Sequence, residues 1–242
     1  MPIFRERRAD PPGSDTGRPG APDDEDVVEL ERVRLPGDLI VPDGAIGVVV
    51  FAHGSGSSRL SPRNVQVATR LREAGLGTLL FDLLTPAEGE DRANVFDIGL
   101  LADRLSGAAA WVRERVGEIP LGLFGASTGA AATLVSASGP GRQVRAVVSR
   151  GGRPDLAGAA LPNVTVPTLL IVGGDDRAVL ELNREALARM RCEKRLEVVP
   201  GATHLFEEPG ALEHVAELAA AWFATHLRRT GGRRVVPTTP DE

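Results

Sequence analysis

The sequence of 242 residues holds a single cysteine, Cys192. One cysteine cannot form a disulfide within the chain, nor a metal site made of cysteines alone. The four histidines lie far apart, and none forms the H-x-x-x-H pair that is typical of helical zinc sites. We therefore expect no metal ion and no other cofactor, and we interpret Cys192 as a buried or incidental thiol.

The sequence also lacks long apolar runs and dense basic blocks. No run reaches the roughly 18–20 apolar residues that are needed to span a bilayer. Residues 1–26 hold five prolines instead of the apolar core of a signal peptide. The formal net charge is −5, without a cluster of lysine and arginine that would favour nucleic acid. We expect a cytoplasmic protein with a small-molecule substrate and with no membrane or nucleic-acid partner.

The remaining composition, 42% hydrophobic and 25% charged, indicates one globular domain with a sizeable core. We predict that this domain spans residues 27–229. Residues 1–26 and 230–242 are rich in polar residues, proline and glycine, so we predict that they are disordered tails. A docking arm is the alternative interpretation of the first tail.

From residue 46 onwards, strand-like segments alternate with helical patterns. Residues 46–52 are apolar throughout, as in a parallel strand that is covered on both faces. Further strand-like segments follow at 77–82, 121–124, 144–149, 166–172 and 195–199. The alternation predicts an α/β fold with a mostly parallel, doubly wound sheet and helices on both faces. Two earlier strands, joined by a turn at Pro36-Gly37, are predicted to form an antiparallel edge.

The motif Gly125-x-Ser127-x-Gly129 lies between an apolar strand and a segment of small, helix-forming residues. A serine at such a sharp strand-to-helix turn has a strained backbone, and its neighbours two positions away must be nearly free of side chain. The turn lifts the hydroxyl above the sheet edge, beside the N-terminus of the helix. The motif therefore indicates a nucleophilic serine, and a turn of small packing residues is the alternative.

Other polar residues follow the carboxyl ends of strands, where parallel sheets collect their functional groups. They are His53, the pair Asp175-Asp176, and His204. The order serine, acid, histidine along the chain is that of the Ser–His–Asp triad in α/β-hydrolases. We expect His53 to brace its loop rather than to act as a base.

The chain resembles the dienelactone-hydrolase-like branch of the α/β-hydrolase superfamily over residues 27–228. The resemblance rests on residues 51–59, Phe-Ala-His-Gly-Ser-Gly-Ser-Ser-Arg, together with residues 61–64 and 79–85. It implies an α/β-hydrolase fold, and some bacterial hydrolases of this branch stand beside phosphoribosyltransferase domains. Dienelactone hydrolases proper use cysteine in the elbow, where this chain has Ser127, which favours serine esterase chemistry over lactone cleavage.

The resemblance also implies roles for individual residues. Ser127 would attack an acyl carbonyl to form an acyl-enzyme, and His204 would take its proton and later activate water. Asp176 would orient His204. Asp176 is preferred over Asp175 because the acid of the superfamily stands at the third position after a strand-ending glycine, here Gly173, and Asp175 remains the alternative.

Backbone N–H groups and arginines complete the predicted site. The N–H groups of Ser55 and Thr128 are predicted to form the oxyanion hole. Four arginines flank the predicted loops: Arg59, Arg63, Arg150 and Arg153. Solvated surface charge is one interpretation of them, and a grip on a carboxylate or phosphate of the substrate is the other. We predict that Arg59 and Arg153 bind substrate.

The sequence thus predicts a serine hydrolase that cleaves a carboxylic ester or thioester. Residues 150–165 are too few to build a multi-helix lid, so we expect a shallow, open cleft that accepts short, soluble acyl esters. Acyl transfer to an acceptor other than water is an alternative. A catalytically silent hydrolase fold that binds a ligand or a partner is another.

Overall fold

The computed structural model describes residues 26–30, 32–139 and 144–228. The strands are β1 Asp26–Leu30, β2 Val33–Ile40, β3 Val48–Ala52, β4 Gly77–Phe81, β5 Leu121–Ala126, β6 Val144–Arg150, β7 Thr168–Gly173 and β8 Lys194–Val199. The helices are α1 Pro62–Glu73, α2 Pro86–Gly89, α3 Arg92–Val95, α4 Ile98–Val116, α5 Thr128–Ser138, α6 Arg177–Arg189 and α7 Ala211–Leu227. The predicted tails lie outside the described residues, apart from Asp26.

All the described strands form one sheet in the order β1-β2-β4-β3-β5-β6-β7-β8. Strand β2 pairs antiparallel with both β1 and β4, and every other pairing in that order is parallel. The predicted fold class, a mostly parallel sheet with an antiparallel N-terminal edge, is therefore confirmed. The order reverses at β3, which lies between β4 and β5 at the centre of the sheet. Open α/β sheets bind their ligands near such a reversal.

The core lies on both faces of the sheet, because successive side chains of a strand point to opposite sides. In β3, Val48 and Val50 pack with α4 and α5 on one face, whereas Val49 and Phe51 pack with α1 and α7 on the other. All five residues of β3 are buried. This two-sided burial explains why the central strands consist almost entirely of apolar residues.

The predicted turn at Pro36-Gly37 is wrong, because both residues lie within β2. The hairpin instead connects Leu30 to Val33. Pro36 still contributes to the sheet through its carbonyl, which accepts a hydrogen bond from the Asp82 N–H at 3.0 Å. Gly37 lets β1 and β2 pack closely, since a Cβ atom there would lie 3.0 Å from a methyl group of Val28.

The connection between β6 and β7 holds a 3₁₀ segment, Pro154–Asn163, which packs against α5 and α6. This arrangement agrees with the predicted absence of a multi-helix lid. The connection between β4 and α4 contains the short helices α2 and α3. Within the described residues, no helix combines the length and the apolar character needed to cross a membrane.

Candidate active site

Ser127 lies at a tight turn between β5 and α5. Its backbone has φ 51° and ψ −119°, a region that residues with a side chain rarely adopt. A Cβ atom at Gly125 would lie 2.5 Å from the Ala130 Cα, and one at Gly129 would lie 2.2 Å from the Ala52 carbonyl oxygen. Both glycines are therefore required, and the turn has the form of a nucleophile elbow.

Neighbouring backbone groups hold this elbow in place. The Ser127 N–H donates to the Arg150 carbonyl at 3.2 Å, and the Ser127 carbonyl accepts from the N–H groups of Ala130 and Arg153, each at 3.1 Å. On the other side, a Cβ atom at Gly54 would lie 3.1 Å from the Ser127 Cβ. The strained serine is thus fixed by hydrogen bonds from β6 and by close packing against the loop after β3.

His204 and Asp176 form a direct hydrogen bond. The His204 Nδ1 lies 2.7 Å from the Asp176 Oδ2. Since a carboxylate only accepts, Nδ1 carries the hydrogen and the other ring nitrogen, Nε2, is left as an acceptor. Asp176 stands at the N-cap of α6, but its carboxylate makes no helix-capping hydrogen bond. The adjacent Asp175 is exposed.

The acid and the histidine belong to two loops that are joined by backbone hydrogen bonds. The Asp175 N–H donates to the Ala202 carbonyl at 3.0 Å, and the Gly174 N–H donates to the Val199 carbonyl at 2.8 Å. A Cβ atom at Gly173 would lie 2.3 Å from the Ala202 carbonyl oxygen, so this glycine lets the two loops touch. The loop after β7 therefore positions the histidine loop after β8.

Ser127 and His204 line the same cavity, which has a volume of about 240 Å³. Its other polar lining includes Ser55, Arg63, Asn64 and Arg150. Asp176 lies behind His204, and its side chain is 15% exposed against 39% for the histidine. The fold thus collects the predicted serine, acid and histidine from three loops at the carboxyl edge of the sheet.

The two predicted oxyanion residues contact each other. The Ser55 N–H donates to the Thr128 Oγ1 at 2.9 Å, and Thr128 is buried. A hydroxyl oxygen therefore occupies the position at which the Ser55 N–H would hold a substrate oxygen. The oxyanion role of these two N–H groups stays a prediction, and it requires that the hydroxyl give way to the substrate.

The arginines that line the cavity differ from the two that we predicted to bind substrate. The described lining includes Arg63 and Arg150, but neither Arg59 nor Arg153. Arg153 forms two hydrogen bonds with the carboxylate of Asp155, at 2.8 and 2.7 Å, and these bonds raise its pKa. The Arg59 Nε lies 3.7 Å from a carboxylate oxygen of Asp38. A role for Arg59 and Arg153 in substrate binding stays a prediction.

Arg150 lines the cavity, although the sequence did not distinguish it from the other three arginines near the predicted loops. It ends β6 and is 5% exposed. Burial, together with the neighbouring charge of Arg63, lowers its pKa to about 10. The available signal was its place directly after an apolar strand, since the carboxyl ends of the strands converge on the site.

His53, as expected, braces its loop. Its Nδ1 donates to the Gly54 carbonyl at 3.0 Å, while its Nε2 accepts from the Leu83 N–H at 3.1 Å. Both ring nitrogens are therefore engaged by backbone groups. Burial lowers the pKa of His53 and so favours the neutral ring.

Comparison with known proteins places this chain in a family. The model of the dienelactone hydrolase family matches residues 35–227. A crystal structure of a dienelactone hydrolase from Anabaena variabilis is 54% identical to the chain, with a TM-score of 0.81 over 84% of this chain and 97% of that one. An alpha-beta serine hydrolase homologue from Coxiella burnetii is 18% identical, with a TM-score of 0.71 over 84% of this chain and 99% of that one, and it supports the fold alone.

A curated relative from Mycobacterium tuberculosis bears the name "Putative phosphoribosyl transferase". It is 59% identical over 207 residues, which are 85% of this chain and 47% of that protein. The chain therefore spans about half the length of this relative. The family model and the structure from Anabaena variabilis agree, and the chain belongs to the dienelactone hydrolase family, a family of hydrolases built on the α/β-hydrolase fold.

Proposed function

We propose that the protein is a serine hydrolase that cleaves a carboxylic ester or thioester through an acyl-enzyme on Ser127. The observation that carries this proposal is the 2.7 Å bond between Asp176 and His204 beside a cavity that Ser127 also lines. A serine hydroxyl is a weak nucleophile, and a neighbouring base that is itself oriented by an acid activates it. Hydrolases of this fold use that arrangement.

The proposed reaction has two halves. In the first, the Ser127 Oγ attacks the acyl carbonyl while the His204 Nε2 takes the serine proton, and Asp176 stabilises the imidazolium. The tetrahedral intermediate collapses when the alcohol or thiol leaves with that proton. In the second half, His204 takes a proton from water, the resulting hydroxide attacks the acyl-enzyme, and Ser127 departs with the proton while the carboxylic acid is released.

The negative oxygen of each tetrahedral intermediate needs hydrogen-bond donors. We propose the N–H groups of Ser55 and Thr128 for this role, each of which contributes about 10²–10³ in turnover in enzymes of this kind. The Thr128 hydroxyl that now accepts from Ser55 would exchange that bond for the substrate oxygen. Its contact in the free enzyme keeps the Ser55 N–H directed towards the elbow.

The connection between β6 and β7 supports a preference for soluble acyl esters over lipids. The cavity that Ser127 and His204 line holds about 240 Å³, and a second cavity of about 290 Å³ shares Ser55 and Ser57 with it. The 3₁₀ segment between β6 and β7 packs on α5 and α6. We therefore propose soluble acyl esters as substrates, with no activation at a lipid interface.

The name of the M. tuberculosis relative raises phosphoribosyl transfer as a second candidate. The matched part is 47% of that protein, and the corresponding part of this chain matches a hydrolase family over residues 35–227. We therefore assign hydrolysis, rather than phosphoribosyl transfer, to this chain. Acyl transfer to another acceptor would use the same acyl-enzyme, and a product analysis with added alcohols distinguishes it from hydrolysis.

A fluorophosphonate probe followed by peptide mass mapping tests the proposal. The probe should label the peptide of Ser127 in the wild-type protein. Ser127→Ala should lose the label and reduce ester turnover by about 10⁴–10⁶. Ser57→Ala is the matched control, since Ser57 lines the same cavity but has no proposed role. Labelling at another serine, or wild-type turnover by Ser127→Ala, would refute the assignment, and a protein without labelling or turnover would be a binding protein.

A further inference from the structure

Arg150 is a buried arginine in the wall of the candidate active site. It is 5% exposed, and its Nη2 donates one long hydrogen bond, at 3.3 Å, to the Asn64 Oδ1. Its Nε is buried and has no hydrogen-bond partner. Among the residues that the structure describes, no carboxylate forms an ion pair with Arg150. The guanidinium therefore holds unused donors inside the protein.

Such a group is unfavourable unless something compensates it. A buried cation loses its hydration, and proteins normally pair it with an anion or several acceptors. The ring of Phe206 lies 5.9 Å from the guanidinium carbon, which provides only a weak cation–π contact. Even with its lowered pKa of about 10, Arg150 keeps its positive charge at neutral pH.

A second arginine lies on the same side of the cavity. Arg63 lines the cavity together with Arg150, Ser127 and His204. Its Nη1 lies 3.4 Å from an oxygen of Glu207, whose side chain is 64% exposed. Arg63 thus has an exposed and weak partner, whereas Arg150 has none of opposite charge in the described chain. The charge of this wall is positive next to the proposed nucleophile.

We propose that Arg150, assisted by Arg63, binds an anionic group of the substrate, so that the enzyme prefers esters that carry a carboxylate or a phosphate near the scissile bond. The ester part of this inference rests on the proposed function. A guanidinium presents planar, paired N–H donors that match the oxygens of either anion. The anion would engage the unused donors of Arg150 and neutralise a charge that is otherwise isolated in the protein.

A positioning role is the competing explanation. The backbone carbonyl of Arg150 accepts from the Ser127 N–H, and its side chain contacts Asn64 of α1 and Phe206 near His204. The backbone contact does not depend on the side chain. If the side chain only positioned its neighbours, a substitution would slow neutral and anionic esters alike. If it binds an anion, the loss is confined to anionic esters and falls mainly on KM.

A matched pair of esters separates the two explanations. p-Nitrophenyl butyrate and p-nitrophenyl hemisuccinate have acyl groups of the same length, and only the second carries a carboxylate. We expect the wild-type enzyme to favour the hemisuccinate, and Arg150→Met to lose about 10- to 100-fold of that preference in kcat/KM. Arg150→Lys should retain part of it. Arg145→Met is the matched control, because Arg145 lies exposed at the opposite end of β6.

Two further measurements identify the anion and the part played by Arg63. The p-nitrophenyl ester of 3-phosphonopropionate tests a phosphate-like group, and a larger preference for it than for the hemisuccinate would assign phosphate rather than carboxylate. Glu207→Gln should lower KM for the anionic esters by about two- to fivefold, because it releases Arg63. An equal preference for all three esters by the wild-type enzyme would overturn the proposal.

Anion binding without turnover distinguishes a failure of this inference from a failure of the proposed function. Succinate and inorganic phosphate should raise the Tm of the wild-type and Ser127→Ala proteins, but not that of Arg150→Met. If no ester is cleaved and these shifts are still observed, the anion site stands and the ester chemistry is wrong. If esters are cleaved and the shifts do not depend on Arg150, the anion site is wrong and the chemistry stands.

Discussion

Two histidines follow the carboxyl ends of strands, and each lies near an aspartate, yet their surroundings differ. The His204 Nδ1 lies 2.7 Å from a carboxylate oxygen of Asp176, and 39% of the side chain is exposed. The His53 Nε2 lies 4.0 Å from a carboxylate oxygen of Asp82, and only 13% of the side chain is exposed. Both histidines therefore have an aspartate nearby, but only His204 lines the cavity of Ser127.

The ring nitrogens explain what this difference means for chemistry. Both nitrogens of His53 are engaged by the backbone of Gly54 and Leu83, so the ring cannot exchange a proton with a substrate without breaking a structural bond. In His204 only Nδ1 has a hydrogen-bond partner among the described residues, and the ring lines the cavity of Ser127. A general base needs both an orienting bond and an available nitrogen.

The largest expected effect is at His204. His204→Gln should reduce ester turnover by about 10⁴–10⁶, because the serine loses its base. His53→Gln should act mainly on stability, since its ring has a bracing role. Turnover and Tm of both variants, measured together, provide the test. A larger loss of turnover in His53→Gln than in His204→Gln would reverse the comparison.

The aspartates provide the next effect. Asp176→Asn should cost about 10⁴ in turnover, because the amide favours the wrong tautomer of His204. Asp175→Asn should cost far less, since Asp175 is exposed and its bond to Ala202 is made by the backbone. Asp82→Asn is the matched control, because Asp82 is the aspartate near His53, the histidine to which we assign no catalytic role. Equal kcat values for Asp176→Asn and Asp175→Asn would contradict the proposed acid.

Ser55 belongs to the loop that His53 braces, and its N–H is a predicted oxyanion donor. We therefore expect the position of this N–H to affect turnover. Thr128→Val removes the acceptor of the Ser55 N–H while it keeps the shape of the side chain. We expect a loss of about tenfold in kcat as the predicted oxyanion donor loses its position. Thr128→Ser, which keeps the hydroxyl, should retain most of the activity. If kcat is unchanged in Thr128→Val, the Ser55 N–H is not an oxyanion donor held by Thr128.

The smallest expected effect concerns acid stability. Burial lowers the pKa of His53 from 6.5 in the folded state, so the unfolded chain takes up the proton first as the pH falls. The stability that neutral His53 contributes is therefore present above pH 6.5 and is lost as the pH falls through the folded-state pKa. The Tm of the wild-type protein between pH 8 and pH 5 should fall more steeply than that of His53→Gln. Parallel curves would show that His53 titrates normally.

Short-range patterns predicted several parts of the molecule correctly. Gly125 and Gly129 predicted the elbow because their missing side chains are required within one turn of chain. Aspartate is a residue type that favours the N-cap of a helix, and the Asp97 carboxylate before α4 accepts from the Leu100 N–H at 3.0 Å. The turn at Pro36-Gly37 was predicted wrongly, since the pairing of β2 with β4 across the sheet outweighs the local preference for a turn.

The sequence by itself determined the fold class and the elbow, because apolar periodicity and glycine spacing act between residues that are close along the chain. The resemblance favoured one acid, but only the tertiary structure showed which acid contacts the histidine and which arginines line the cavity. Asp176 rather than Asp175 reaches His204, and Arg150 rather than Arg153 lines the wall. These outcomes depend on how separate loops meet at the sheet edge and on which charges are already paired there. The sequence does not contain this information directly, because residues of the same type look alike in it.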